Sequence, residues 1–315
     1  MAADDSMAPY NAAHASPRDP LNIRLAHVLA LLSALGSAAA TIFIRQGLRH
    51  YGPYTGFWIN LAVGTVGLWA CVFLTGGPGP VTPTAVAFFA AAGLIGTVAG
   101  RLLRFVAIEQ VGPSISAALI GLSPLFSAAF AIALLGEHVT LPIAAGTVVI
   151  VVGTVLLSAG GRTVGVRPGQ LLLPLLSGLC FGIVAVLRKI GLGGAGPVAG
   201  AAINATTALV AYTAFLLAAG QPGLVKCRGR SLAHFVAAGV LENGAVFLTI
   251  LALTLGAVSV VVPLTGTAPI FVLLLSPLFL RDVEVLNRRV VIGTVLVVLG
   301  VYLITAGPPG ILGRP

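Results

Sequence analysis

The sequence predicts an all-α integral membrane protein of ten transmembrane helices, built as two inverted five-helix repeats. Three observations carry that expectation. Hydrophobic residues make up 58% of the 315-residue chain and charged residues 8%, with a mean hydropathy of +1.08, so too few polar side chains remain to cover a water-soluble surface. Breaking the chain at its proline, glycine and charge clusters leaves ten apolar runs, at 24–46, 54–75, 84–108, 113–135, 140–160, 169–189, 196–219, 231–254, 257–280 and 289–307, each close to the roughly 20 residues that a bilayer requires. The chain also repeats itself, and internal repetition dictates architecture.

Residues 1–22, with Asp4, Asp5, Arg18 and Asp19, read as a polar, disordered tail. Its acidic start and the long apolar run after it do not fit a signal peptide. The first five-helix repeat is expected over 23–161, the second over 168–307, and a short tail over 308–315. In the first two spans, Leu32-Ser33, Gly47-Leu48, Gly52-Pro53 and Ile59-Asn60 recur 144 residues later as Leu176-Ser177, Gly191-Leu192, Gly196-Pro197 and Ile203-Asn204. Arg45 matches Lys189 in the same register. Span three, from Phe89 to Gly93, maps onto Phe235 to Gly239 at a spacing of 146, beyond which the two sequences diverge. In spans four and nine, Pro124 returns as Pro269 at a spacing of 145; in spans five and ten, Gly146 returns as Gly293 at 147. Glu137, in the turn between spans four and five, falls opposite Glu284.

Five spans per repeat is an odd number, so the second repeat must enter the membrane from the opposite side. Inverted repeats of this kind are a common plan of secondary transporters, with the substrate near the midplane between them.

The net charge of +9 comes from 17 basic and 8 acidic residues. Most basic residues sit at the ends of apolar runs, which is a pattern of membrane anchoring and not of nucleic-acid binding. Cys71, Cys180 and Cys227 are far apart and fit neither a disulfide framework nor a metal cluster. Catalytic, metal and cofactor motifs are absent. Glu137-His138 lacks the second histidine of a zinc helix, no glycine-rich phosphate loop with a following lysine occurs, and the histidines (14, 27, 50, 138, 234) fall in the tail or near helix ends. No feature of the sequence sets an oligomeric state.

Polar groups inside the spans are the candidate site, because charge within a bilayer normally faces a cavity or a partner. Arg101 and Arg104 share one face of span three with Thr97 and Ile108. Paired guanidinium groups suit a carboxylate or phosphate; the alternative is that they reach to the interface or pair with Glu109. Glu242, followed by Asn243, stands near the middle of span eight on a stripe with Ala238, Ala245 and Thr249. It is either a structural ion-pair partner of Arg101 or Arg104, or a carboxylate that contacts substrate and couples transport to protons. Asn60 and Asn204 are repeat-related amides suited to interhelical hydrogen bonding, with cavity lining as a second role. Pro124, Pro263 and Pro269 remove helix hydrogen bonds and are expected to kink spans four and nine. Glycines at 146, 153 and 160, and again at 293, 300 and 307, recur every seven residues and suggest close helix contact.

The run from Arg101-Leu102-Leu103-Arg104-Phe105 through Val111-Gly112-Pro113-Ser114, Ser123-Pro124-Leu125-Phe126 and Leu135-Gly136-Glu137-His138-Val139-Thr140 resembles the EamA domain of the drug/metabolite transporter (DMT) superfamily. Val258 to Leu264, Pro269-Ile270-Phe271 and Leu280-Arg281-Asp282-Val283-Glu284 resemble the same domain again. The resemblance implies a ten-helix exporter or exchanger of small metabolites in the cell membrane. Both termini would be cytoplasmic, and a central cavity would be lined by spans one to four and six to nine. Two departures stand out. Span three often carries aromatic residues where this chain has Arg101 and Arg104, and Val283 replaces the usual glycine.

The expected function is therefore secondary transport of a small metabolite, anionic or carboxylate-bearing, across a lipid bilayer, with protons as a coupling ion through Glu242. An intramembrane enzyme, a non-transporting scaffold and a channel are the alternatives, and saturable counterflow separates a carrier from all three. Orientation divides two indicators. Five Lys and Arg (Arg18, Arg24, Arg188, Lys189, Arg314) fall on the side of the termini against ten on the other, which by the positive-inside rule places the termini outside. The resemblance places them inside.

Overall fold

The computed structural model describes residues 20–48, 50–111, 116, 119–158, 168–221, 226–279 and 288–306. In chain order its helices are α1 (Pro20–Gly47), α2 (Pro53–Leu74) and α3 (Pro83–Ala92), which runs through a π-helical stretch (Gly93–Gly100) into α4 (Arg101–Val111). Then come α5 (Ser123–Leu135), α6 (Leu141–Ser158), α7 (Leu172–Gly191), α8 (Pro197–Ala218), α9 (Arg230–Leu255), α10 (Val258–Thr265), α11 (Ala268–Phe279) and α12 (Arg288–Ala306). The expected tails, and the turn at 281–284 that contains Glu284, lie outside the described residues.

Among the described residues, six helical segments are long and apolar enough to cross a membrane: Leu21–Gly47, Pro53–Leu74, Pro83–Ala107, Gly169–Gly191, Pro197–Ala218 and Arg230–Leu255. Shorter apolar helices occupy the places of predicted spans four, five, nine and ten. Of these, α5 has 13 residues and by itself reaches about 20 Å into a hydrocarbon layer about 30 Å thick. Large apolar side chains such as Val66, Phe73, Leu74, Val240 and Tyr302 are more than half exposed, an arrangement that suits lipid as the surrounding solvent.

Local signals in the chain set several helix ends. Pro53, Pro83 and Pro197 stand in the first turns of α2, α3 and α8, where the missing N–H has no intrahelical acceptor to lose. Thr82 caps α3 by accepting a hydrogen bond from the Ala85 N–H at 3.2 Å. Gly136 ends α5 with φ +64°, a conformation that costs glycine little. The turn it makes carries Glu137 into the interior.

The two repeats interlock, each helix packing chiefly against helices of the other half: α1 and α2 on α9, α3 and its π stretch on α7 and α8, α5 on α7, α11 on α1, and α6 on α12. Repeat-related residues make repeat-related contacts. The ring of Phe235 lies so close to Gly47 and Gly56 that a Cβ at either would collide with it, and the ring of Phe89 fills the matching slot at Gly191 and Gly200. Ser33 Oγ donates to the Ala245 carbonyl at 2.7 Å, and its counterpart Ser177 Oγ donates to the Gly100 carbonyl at 2.8 Å. The glycine heptads behave likewise. A Cβ on Gly146 would strike Ile304 and the Gly300 carbonyl, while one on Gly300 would strike Ile150 and the Gly146 carbonyl.

One feature breaks the symmetry. The π stretch exists in span three and not in α9, which is α-helical throughout. A π turn holds one more residue than an α turn. Phe89 and Phe235 before it are matched at 146, whereas Gly100 and Ala245, which accept the repeat-related serine hydrogen bonds, are matched at 145. An inserted residue rotates the remainder of the helix by roughly 100° about its axis. Arg101 and Arg104 come directly after it.

The predicted proline positions mark breaks between helices more than bends within them. Pro124 is the second residue of α5, behind the turn at 121–122, and Pro269 is the second residue of α11, behind the turn at 266–267. Both are early-helix positions that tolerate a missing N–H. Pro263 lies inside α10, two residues before its end.

Candidate functional site

Four elements from both halves bring their polar side chains to one place. α4 contributes Arg101 and Arg104, α9 contributes Glu242 and Asn243, α2 contributes Asn60, and α1 contributes Ser37 and Thr41. Arg101 Nη2 and Arg104 Nη1 each lie 3.6 Å from Glu242 Oε1. Ser37 Oγ donates to Glu242 Oε2 at 3.4 Å. The far ends of both guanidinium groups are also held, Arg101 Nη1 donating to Asn60 Oδ1 at 3.3 Å and Arg104 Nη2 to Thr41 Oγ1 at 2.9 Å. Asn243 Nδ2 donates to the Asn60 carbonyl, to Asn60 Oδ1 and to the Gly239 carbonyl at 3.0, 3.2 and 2.8 Å. Gly64 makes room for this amide, since a Cβ there would overlap it.

Arg101 and Glu242 are 5% and 6% exposed. Burial at this depth makes charge balance decisive, because an unmatched charge in low dielectric costs several kcal/mol or more. Two guanidinium groups share one carboxylate, so the cluster carries one positive charge in excess. The distances of 3.6 Å describe a loose ion pair and not a locked fork, which keeps donor positions available to a competing anion. The side chain of Glu109, an expected partner, lies outside the described side chains.

A second cluster adjoins the first. Asn204, the repeat mate of Asn60, accepts from Arg188 Nε and Nη2 at 3.3 and 3.2 Å and donates through Nδ2 to Thr97 Oγ1 at 2.9 Å. Thr97 stands one turn before Arg101. Five of the six predicted polar site residues therefore share one network across the half boundary, and the sixth, Asn204, belongs to the second cluster beside it; among the described contacts, Pro124 and Pro263 take no part in either.

Sequence reasoning missed two contributors. Arg188 reads as a helix-end residue because it lies three residues before Gly191, yet α7 runs on to Gly191 and the arginine is 8% exposed. Its neighbour Lys189 is also drawn inward, donating to the carbonyls of Leu253 and Gly256. The second omission is the stripe Ser33, Ser37 and Thr41 on α1. Their spacing of four residues places them on one helix face, and that was the available signal.

The EamA-like transporter family matches this chain twice, over residues 24–159 and 168–306. A solved structure described as "Crystal structure of protein" is similar with a TM-score of 0.73 at 20% identity, covering 89% of this chain and 96% of that one. At this identity the likeness concerns the fold. No curated protein matches the chain.

Proposed function

Since this chain belongs to the EamA-like transporter family, we propose that it is a ten-span secondary transporter, an exporter or exchanger, whose substrate is a small anionic or carboxylate-bearing metabolite. Membership makes it a multi-pass membrane transporter of the DMT type. Ten spans result if the shorter apolar helices cross together with their flanking residues. The plasma membrane is the expected location.

The observation that carries the anionic substrate is the buried excess of guanidinium over carboxylate at Arg101, Arg104 and Glu242. Such a cluster is more stable when an anion joins it, and an anion bound between halves is positioned for alternating access. Glu242 supplies a route to proton coupling. When the arginines turn to a bound anion, the carboxylate loses both ion-pair partners and takes up a proton, so carboxylate and substrate compete for the same pair of cations and substrate binding is linked to proton uptake.

Purified protein in liposomes, preloaded with unlabelled solute, tests this by counterflow. Carboxylate-bearing solutes should exchange with saturable kinetics, and Arg101→Gln and Arg104→Gln should each abolish most of the flux. Undiminished flux in both variants, with cationic and neutral solutes carried equally well, rejects an anionic substrate. Linear, non-saturating flux points to a channel instead.

A further inference from the structure

We propose that Arg188 is a third anion-binding guanidinium of this site and that it selects compact dianions, substrates bearing two negative charges on oxygen, over monoanions. The inference rests on the reading of Arg101 and Arg104 as an anion site and narrows its substrate class.

Three facts support it. First, Arg188 is buried with no carboxylate in ion-pair range among the described residues. Its one fixed partner is the neutral Asn204 Oδ1, shared by Nε and Nη2. A guanidinium has five N–H donors, so most of its donating capacity, including all of Nη1, has no protein acceptor among the described residues. Second, the position is connected. Arg188 bonds to Asn204, and Asn204 bonds to Thr97, which stands one helical turn before Arg101. Two like charges held close inside a membrane protein make each other more costly and an anion between them more favourable. Third, the charge count changes. With Arg188 included, three guanidinium groups are set against the single carboxylate of Glu242, which leaves two positive charges for a ligand to neutralise. A dicarboxylate and a phosphate monoester share the required chemistry.

The buried arginine should also show the stability signature of a binding group. A buried arginine with no carboxylate partner weakens the fold until a ligand arrives. Replacing Arg188 by an uncharged residue should therefore leave the unliganded protein no less stable.

The full-length protein in lipid nanodiscs is titrated with succinate, with inorganic phosphate at a pH where it is dianionic, and with acetate, all at constant ionic strength. Binding is followed by calorimetry and by the shift in thermal unfolding. The wild-type protein should hold at least one dianion more tightly than acetate, and the stronger of the two identifies which dianion the site prefers. Arg188→Gln should weaken that dianion about tenfold or more, the loss of a charge-assisted contact, with a much smaller effect on acetate and no drop in the unliganded unfolding temperature. Arg188→Lys, which keeps the charge, should retain the preference for dianions at reduced affinity. A protein that binds dianions no better than acetate overturns the inference. So does an Arg188→Gln variant that is destabilised while its ratio of dianion to acetate binding is unchanged, since that assigns Arg188 a structural role. If no anion binds, or if binding is indifferent to Arg101→Gln, the anion site itself fails. If Arg101→Gln loses binding while Arg188→Gln does not, only the present inference fails.

Discussion

Asn60 and Asn204 hold corresponding posts in the two halves, each offering its side-chain oxygen to a buried arginine from another helix. The arginines are not corresponding residues, since Arg101 belongs to span three and Arg188 to span six. Their amides were legible in the sequence because repetition singled them out. Arg101, Arg104 and Glu242 were legible because charge inside an apolar run is costly and therefore conspicuous. Arg188 was not, because proximity to a glycine-rich turn makes a buried charge look like an interfacial one. At this scale the sharpest expectation concerns Glu242→Gln. The amide keeps an acceptor for the arginines but cannot exchange a proton, so counterflow should persist while accumulation driven by a pH gradient is lost. Measuring both in the same liposomes checks it, and normal pH-driven accumulation by the variant counts against proton coupling through Glu242. If the residue is instead a plain structural partner, the variant should unfold at markedly lower temperature, because breaking a buried pair costs about 3–5 kcal/mol.

Between α9 and α10 the chain turns within two residues, and both free helix ends there are satisfied by charge. Glu137, 8% exposed, accepts from the Val258 and Ser259 N–H groups at 2.8 and 3.0 Å. Lys189 donates to carbonyls at the end of α9. Negative charge at a helix start and positive charge at a helix end both oppose the local dipole. Glu137→Ala would leave two buried N–H groups without acceptors, a loss of about 1–3 kcal/mol for each. Glu137→Gln, which keeps one acceptor oxygen, should lose about half as much. Thermal unfolding in detergent ranks the variants, and equal stability of all three would show that Glu137 does not hold the turn. The glycine pairs of α6 and α12 invite a second test. Gly146→Leu should separate these helices and cost more than about 1–3 kcal/mol, since backbone stands opposite. The glycine heptads announced that contact. By contrast, the π stretch of span three was hidden, because one extra residue shows in a sequence only as loss of register, which is what divergence also looks like.

At the scale of the whole molecule, Phe89 and Phe235 exchange places across the repeats, each filling a glycine slot in the opposite half. Neither half buries its own face alone. In lipid the apolar transfer term largely vanishes, so Phe235→Ala should cost mainly its cavity, on the order of 1–3 kcal/mol, less than a soluble core would lose. Topology can be checked independently. Reporter fusions at residue 315 and after residue 226 should give opposite signals for ten spans, and identical signals would exclude that number. The structure also revises the orientation count. With Arg188 and Lys189 drawn inside, the side of the termini retains three of its five basic residues, which strengthens the positive-inside case for exterior termini. The extra residue in span three has a further consequence for a carrier that works by exchanging the roles of its halves. Two identical halves would make the inward-open and outward-open forms equivalent by a two-fold rotation, with the same half-saturation on either face. One inserted residue removes that equivalence, so a carrier working in this way would acquire sidedness. The two faces should then saturate at different substrate concentrations with maximal rates that differ in proportion, while the equilibrium reached, fixed by the gradients alone, would not move.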